Sequence, residues 1–258
     1  MYDGLEYKNS AELCERMAAE CDTAILAFST GKDSIAAWLQ MRKYFKTIIP
    51  FYKYGIPGLR FVEDSLKYYE DFFGCHIYRF PHPSFLRQLS YGVFQPPYRC
   101  SEIAEKYAID VNSYTNDDIP RIIRRYKNLP ENVYTGIGVR MADSPLRRTS
   151  VMRYGAVIHN KQTFYPVYDW VKDDMMRELE AAKIKLPVDY MLFGRTFDGL
   201  TYKFLKPLKE HIPEDYETVL KWFPLAELDI ARFDGFDEIR QTREEVHAYE
   251  QVEATKRS

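Results

Sequence analysis

Two short stretches of this 258-residue chain combine residue types that handle anions. The first is Ser29-Thr30-Gly31-Lys32-Asp33-Ser34. It lies between an apolar run, Ala24–Phe28, and a helical spacing of Ile35, Trp38, Leu39 and Phe45. A strand that drops through a tight polar turn into a helix aims free backbone N–H groups and the positive end of the helix dipole at one spot. That spot suits a phosphate. Lys32 adds a point charge, and Ser29, Thr30 and Ser34 add hydroxyl donors. Asp33 can hold a metal ion or simply stiffen the loop. The turn is not a Walker A loop, which needs a glycine five residues before Gly-Lys and a Ser or Thr directly after the lysine. An ordinary helix start capped by Ser29 or Thr30 is the plainer alternative.

The second stretch is Gly138-x-Arg140-x-x-Asp143-Ser144-x-x-Arg147, after a predicted strand at Asn132–Ile137. Glycine at a strand end permits a sharp turn and close approach. Two arginines seven residues apart can converge on one anion, each with a planar fork of donors. Asp143 and Ser144 can orient those arginines or cap the following helix. Alone, the pattern fits a surface turn with two solvated arginines; its company with the lysine loop favours a shared anion.

The order strand, S-x-G-x-D-S, helix resembles the pyrophosphate loop of the adenine nucleotide α-hydrolase (PP-loop ATP pyrophosphatase) superfamily, whose usual form is SGGxDS. Thr30 stands where that pattern has its second glycine. The second stretch closely resembles the G-x-R-x-x-[DE]-S-x-x-R signature of the phosphoadenylyl-sulfate (PAPS) reductase-like branch. Arg99-Cys100, with Lys106 beyond, and Pro166-Val167-Tyr168-Asp169-Trp170 with Asp173 and Asp174 are further matches, so the likeness spans about residues 20–200. It implies an α/β fold with a Rossmann-like (HUP-type), mostly parallel sheet flanked by helices, binding ATP with Mg²⁺. By that resemblance Ser29–Ser34 hold the β- and γ-phosphates, and adenine lies near Tyr52, Lys53 and Tyr54. Gly138, Arg140, Ser144 and Arg147 act from the other side. Lys32, Asp33, Arg140 and Arg147 are the implied catalytic residues and Asp33 the implied metal ligand.

The chain departs from the reductases in two places. Lys53-Tyr54-Gly55-Ile56-Pro57-Gly58 replaces a carboxylate-Thr-Gly turn, and no cysteine follows Cys100, where the reductases carry their nucleophile. Cys14, Cys21, Cys75 and Cys100 form no C-x-x-C pair, so neither zinc, nor an iron–sulfur cluster, nor a disulfide framework is expected. Without a thiolate there is no nucleophile for S-sulfocysteine formation, and sulfonucleotide reduction is not expected. The five histidines, His76, His82, His159, His211 and His247, are scattered and offer no evident general base.

These residues need elements to hold them. Predicted strands at Ala24–Phe28, Thr47–Tyr52, Cys75–Phe80 and Asn132–Ile137 alternate with helices from Ser10, from the lysine loop to about Phe45, at Phe61–Phe73, Arg99–Ala108 and Asp117–Lys127. Such alternation builds parallel βαβ units. Ala156–Ile158 and Thr163–Pro166 read as a hairpin and Asp169–Ala182 as a helix. The expected division is a nucleotide domain over 1–190 and a mainly helical extension over 191–258, irregular and aromatic from Phe193, with short helices near Glu214–Trp222 and Asp237–Thr255.

Composition narrows the partners. With 46% hydrophobic and 16% aromatic residues, 21 of them tyrosine, the chain is globular. A net charge of −2 means that nucleic acid would need a local patch. Arg121, Arg124, Arg125 and Lys127 are a candidate, although they also suit the C-terminal end of a solvated helix. No apolar run approaches the ~20 residues of a membrane span, and MYDGLEYKNS lacks signal-peptide features, so a cytoplasmic protein is expected. Three functions compete: ATP cleavage between the α- and β-phosphates with an unidentified acceptor (small molecule, protein or nucleic acid); a non-catalytic nucleotide-binding accessory subunit of a phage, defence or nucleic-acid modification system; and a nucleic-acid-modifying subunit. The aromatics of 193–224 also allow a homodimer interface or a lid.

Overall fold

A computed structural model describes residues 6–106, 114–236, 239–240 and 243–244. Six strands, β1 (Thr23–Ala27), β2 (Thr47–Tyr54), β3 (Tyr78–Pro81), β4 (Thr135–Ile137), β5 (Val157–Ile158) and β6 (Thr163–Phe164), form one sheet in the order β3-β2-β1-β4-β6-β5. All neighbours are parallel except β5, which runs against β6 as the short hairpin. The fold is α/β with a mostly parallel sheet, as the alternation of elements predicts, and Rossmann-like, as the resemblance implies. From central β1 the chain builds outward through β2 and β3, then crosses back to lay β4 on the other side. The crevice above β1 and β4 is therefore the switch point of the sheet.

The apolar run of β1 is buried on both faces, as a central parallel strand must be. Ala24, Leu26 and Phe28 join a large core with Ile35, Trp38 and Leu39 of α2 (Lys32–Met41) and Leu66 and Tyr69 of α3 (Arg60–Phe73). Ile25 faces the other way, joining Ile49, Phe51 and Ile119 and Ile123 of α6 (Asp118–Tyr126). Pro50 is tolerated inside β2 because the Phe51 carbonyl bonds the Phe28 N–H, turning residue 50 toward the side where β3 begins only at Tyr78.

The remaining helices are α1 (Ser10–Glu20), α4 (Pro83–Ser90), α5 (Pro97–Lys106), α7 (Pro145–Tyr154), α8 (Lys172–Ala181), α9 (Val188–Phe193), α10 (Tyr202–His211) and α11 (Pro213–Trp222). Several bounds differ from the sequence expectation for local reasons. β3 starts at Tyr78, because the Ile77 N–H is taken by the Glu70 carboxylate at 2.8 Å. α2 stops at Met41, and Phe45 reaches the core from a turn. α10 was expected to be irregular: Pro207 interrupts its pattern, yet buried Phe204, Leu205 and Leu208 hold the helix. Residues 107–108 of the expected helix ending at Ala108, and most of Asp237–Thr255, lie outside the described residues. Among the described residues no helix is long and apolar enough to cross a membrane.

The last third of the chain shares the first core: Leu200, Leu205, Leu208, Val219 and Phe223 pack in the same cluster as Leu26 and Trp38. It also supplies caps. No side chain of its own caps the start of α3, but the fully buried Asp215 carboxylate of α11 accepts the Arg60 and Phe61 N–H groups at 2.7 and 3.0 Å. Asp229 does the same for α10, accepting the Tyr202 N–H at 2.6 Å. A helix cap is typically worth about 1 kcal/mol.

Candidate functional site

At the switch point a cavity of about 650 Å³ opens between the carboxyl ends of β1, β2 and β4. Its floor is the turn that leaves β1. Ser34 Oγ organises that turn, accepting the Ser29 N–H at 3.1 Å and donating to the Gly31 carbonyl at 2.8 Å, while the Ser29 hydroxyl lies 3.2 Å away. Thr30 stands at a left-handed φ of +59°, rare for a β-branched residue, with its hydroxyl donating to the Ser29 carbonyl at 2.6 Å. So the position that is glycine in the SGGxDS pattern keeps a glycine-like backbone here without glycine. No side chain caps α2. Among the described residues the Thr30, Gly31 and Asp33 N–H groups have no acceptor, and Lys32 Nζ has no ion-pair partner.

The second stretch forms the facing wall. A Cβ at Gly138 would lie 2.5 Å from the Asp33 carbonyl oxygen and 2.8 Å from the Ser34 nitrogen, so only glycine lets the end of β4 meet the start of α2. The two arginines do converge on one anion, and that anion is Asp143. Arg140, almost fully buried, bonds Asp33 Oδ1 through Nε at 2.7 Å and Asp143 Oδ1 through a terminal nitrogen at 2.6 Å. Arg147, half-exposed, takes the other oxygen of Asp143. Ser144 caps α7, accepting the Arg147 N–H at 3.2 Å. Burial pushes the Asp33 carboxyl above its ordinary range; the Arg140 charge opposes that shift and Asp143 adds to it.

The cavity thus gathers Ser29, Gly31, Lys32, Asp33 and Ser34 with Tyr52, Lys53, Gly138 and Arg147. Thr30, Tyr54, Arg140 and Ser144 do not line it. Tyr54 instead packs edge-on against Phe85, 6.1 Å between ring centres. Lys53 bonds Asn116 at 2.8 Å, and burial lowers the pKa of its ammonium. Of the basic cluster on α6, Arg121 pairs with Asp118, Arg124 bonds the Val133 carbonyl at 2.8 Å, and Lys127 lies over the rings of Tyr78 and Tyr126.

Two further walls carry no motif that sequence reasoning assigned to the site. His82 lines the cavity and caps α4: its Nδ1 accepts the Ser84 N–H at 3.1 Å, and the Ser84 hydroxyl lies 2.6 Å away, which leaves the ring proton on Nε2. Burial, with Lys53 and Arg87 nearby, lowers its pKa to about 4. The other wall is the segment from Tyr190 to Leu200, which overlaps the aromatic stretch allowed as an interface or a lid but of which no residue was singled out. Tyr190 hydroxyl accepts the Lys32 N–H at 3.2 Å, and the Thr196 hydroxyl would lie 3.0 Å from a Cβ on Gly31. Gly194 and Gly199, the one readable sign of this segment, bracket it. None of the four cysteines lines the cavity; Cys14 is buried, and burial raises the pKa of its thiol far above the ordinary value.

A scan against protein-family models and a search of curated proteins each found no match. Among solved structures, the chain is similar to an NH3-dependent NAD synthetase from Campylobacter jejuni subsp. jejuni in complex with the nitrate ion. The identity is 11% and the TM-score 0.43, covering 86% of this chain and 91% of that one. A likeness of that size bears on neither activity nor substrate.

Proposed function

We propose that the cavity binds ATP and that the protein cleaves it between the α- and β-phosphates, releasing pyrophosphate and leaving AMP or an adenylylated acceptor. One observation carries this reading: the free Gly31 and Asp33 N–H groups at the turn into α2, the Lys32 ammonium, without an ion-pair partner among the described residues, and the Arg147 guanidinium all border a single cavity. On the motif resemblance, the protein belongs with PP-loop ATP pyrophosphatases of the PAPS reductase-like kind and lacks the reductase thiol. Fixed donors aimed at charge that builds on the bridging oxygen lower the barrier because they need no reorganisation during the step.

Each residue has a part in this proposal. The Gly31 and Asp33 N–H groups and Lys32 hold the β- and γ-phosphates, and Arg147 neutralises charge from the β4 side. Arg140 positions Asp33 and Asp143 and touches no phosphate. Among the described residues no cluster of three His, Cys, Asp or Glu side chains exists to cage a metal. Magnesium commonly takes one or two carboxylates plus phosphate oxygens, and Asp33 fits that donor set, since only its Oδ1 is engaged by Arg140. When bound there, Mg²⁺ would supply charge neutralisation on the phosphates. Tyr52 and Lys53 form the end of the cavity proposed for adenine.

ATP labelled separately on the α- and γ-phosphates tests this, with Mg²⁺ and cell extract as the source of acceptor. The expected result is α-label in AMP or an acceptor, γ-label in pyrophosphate, and loss of both in Lys32→Ala. Release of ADP and phosphate would overturn it. A second reading, a nucleotide-binding accessory subunit without turnover, is favoured by Asp33 being already committed to Arg140. ATP retained and recovered intact would select that reading.

A further inference from the structure

The turn at the start of α2 is already partly occupied by the protein itself. Lys32 supplies the first backbone N–H of α2, and Tyr190, 158 residues later, accepts it at 3.2 Å. The neighbouring Gly31 sits under the Thr196 hydroxyl and 3.8 Å, measured from its would-be Cβ, from the same Tyr190 oxygen. Two hydroxyls from one segment thus cover the place where the backbone offers its donors.

That segment is anchored beside the site rather than through it. Asp189, 2% exposed, accepts the Phe197 N–H through Oδ2 at 3.0 Å, while its Oδ1 is buried without a hydrogen-bond partner among the described residues. The Phe197 ring packs against Phe61, Phe193 and Phe204 at 5.4–6.0 Å. Gly194, at φ +68°, ends α9 and lets the chain turn toward the cavity. With Phe197 fixed in the aromatic cluster, the Tyr190 side chain is the part free to leave.

We propose that Tyr190 is a gate on the phosphate site: its hydroxyl holds the Lys32 N–H while the cavity is empty and is displaced when a phosphate oxygen takes that N–H. The inference rests on the reading that this cavity binds phosphate. A charged oxygen wins the exchange because hydrogen bonds to ionised acceptors are roughly twice as strong as neutral ones. A phenol hydroxyl is a neutral acceptor, so it shields the N–H from water yet competes only weakly with a charged ligand. The gate makes phosphate affinity the difference between two bonds at one donor, and Thr196 marks the side from which the cover closes.

Tyr190→Phe keeps the ring and removes only the competing oxygen. Inorganic pyrophosphate, titrated calorimetrically into the full chain, should bind the variant about 2- to 10-fold more tightly than wild type, the worth of one net neutral hydrogen bond. In the ligand-free variant the Lys32 amide should also exchange with solvent severalfold faster. Equal or weaker pyrophosphate binding by Tyr190→Phe, with wild-type binding still sensitive to Lys32→Ala, overturns the gate and leaves the phosphate site standing. An unchanged Lys32 exchange rate overturns it as well. Wild type that binds no pyrophosphate removes the phosphate reading and the gate with it.

Discussion

The two corners of the cavity come from similar materials and are finished in opposite ways. At 29–34 several donors are left open: among the described residues the Thr30, Gly31 and Asp33 N–H groups have no acceptor and Lys32 has no counter-ion, while Tyr190 takes the Lys32 N–H. At 138–147 the donors are saturated: Arg140 is locked between Asp33 and Asp143, and Arg147 shares Asp143. The first corner therefore keeps donors to offer. The second is a brace that fixes where the first one points, and of its two arginines Arg147 reaches the cavity. A buried guanidinium between two carboxylates ties α2 to the loop after β4 at the one place where the sheet opens.

The largest expected effect breaks the brace. Arg140→Ala leaves two partly buried carboxylates facing each other and should cost about 3–5 kcal/mol of stability, whereas Arg147→Ala, half-exposed, should cost under about 1 kcal/mol; denaturant titration reads both. Similar losses for the two arginines would erase the distinction drawn here. At the open corner the expectation is reversed. Lys32→Ala should leave the melting temperature nearly unchanged while lowering pyrophosphate release on the order of 100-fold.

The contact between the corners comes next. Gly138→Ala sets a Cβ against the Asp33 backbone and should cost about 1–3 kcal/mol, with weaker ATP binding as the turn shifts. The last effect is on pH. Because the folded protein holds the His82 pKa at about 4, below its ordinary 6.5, its neutral form contributes stability that is present above pH 6.5 and lost as pH falls toward 4. Melts between pH 7 and 5 should show a loss of about 1–2 kcal/mol in wild type that His82→Asn, which can still cap α4, largely abolishes. An equal slope in both proteins would mean that pH reaches the site through another group, Asp33 being the first to test.

Much of this was legible because it is local. The β1 turn and the glycine after β4 announce themselves by spacing, and the alternation of elements gives the parallel sheet. What could not be read is whatever depends on two distant segments meeting. That Arg140 binds Asp33 requires β4 to lie next to β1, which follows only from strand order. Tyr190 and Thr196 carry no motif, and their contacts with residues 31 and 32 arise only once α9 is packed. Thr30 was hidden differently: its side chain argues against the left-handed backbone that the turn imposes on it. α10 was obscured by Pro207, where burial of three neighbours outweighs a local preference.

The Asp215 cap has a consequence for how the protein is made. The start of α3 is completed by a carboxylate that is synthesised some 155 residues later. A chain still growing on the ribosome can pair β1 with β2 but cannot secure the helix that covers them until α11 has emerged. Final locking of the cavity-facing half thus waits for a residue far along the chain.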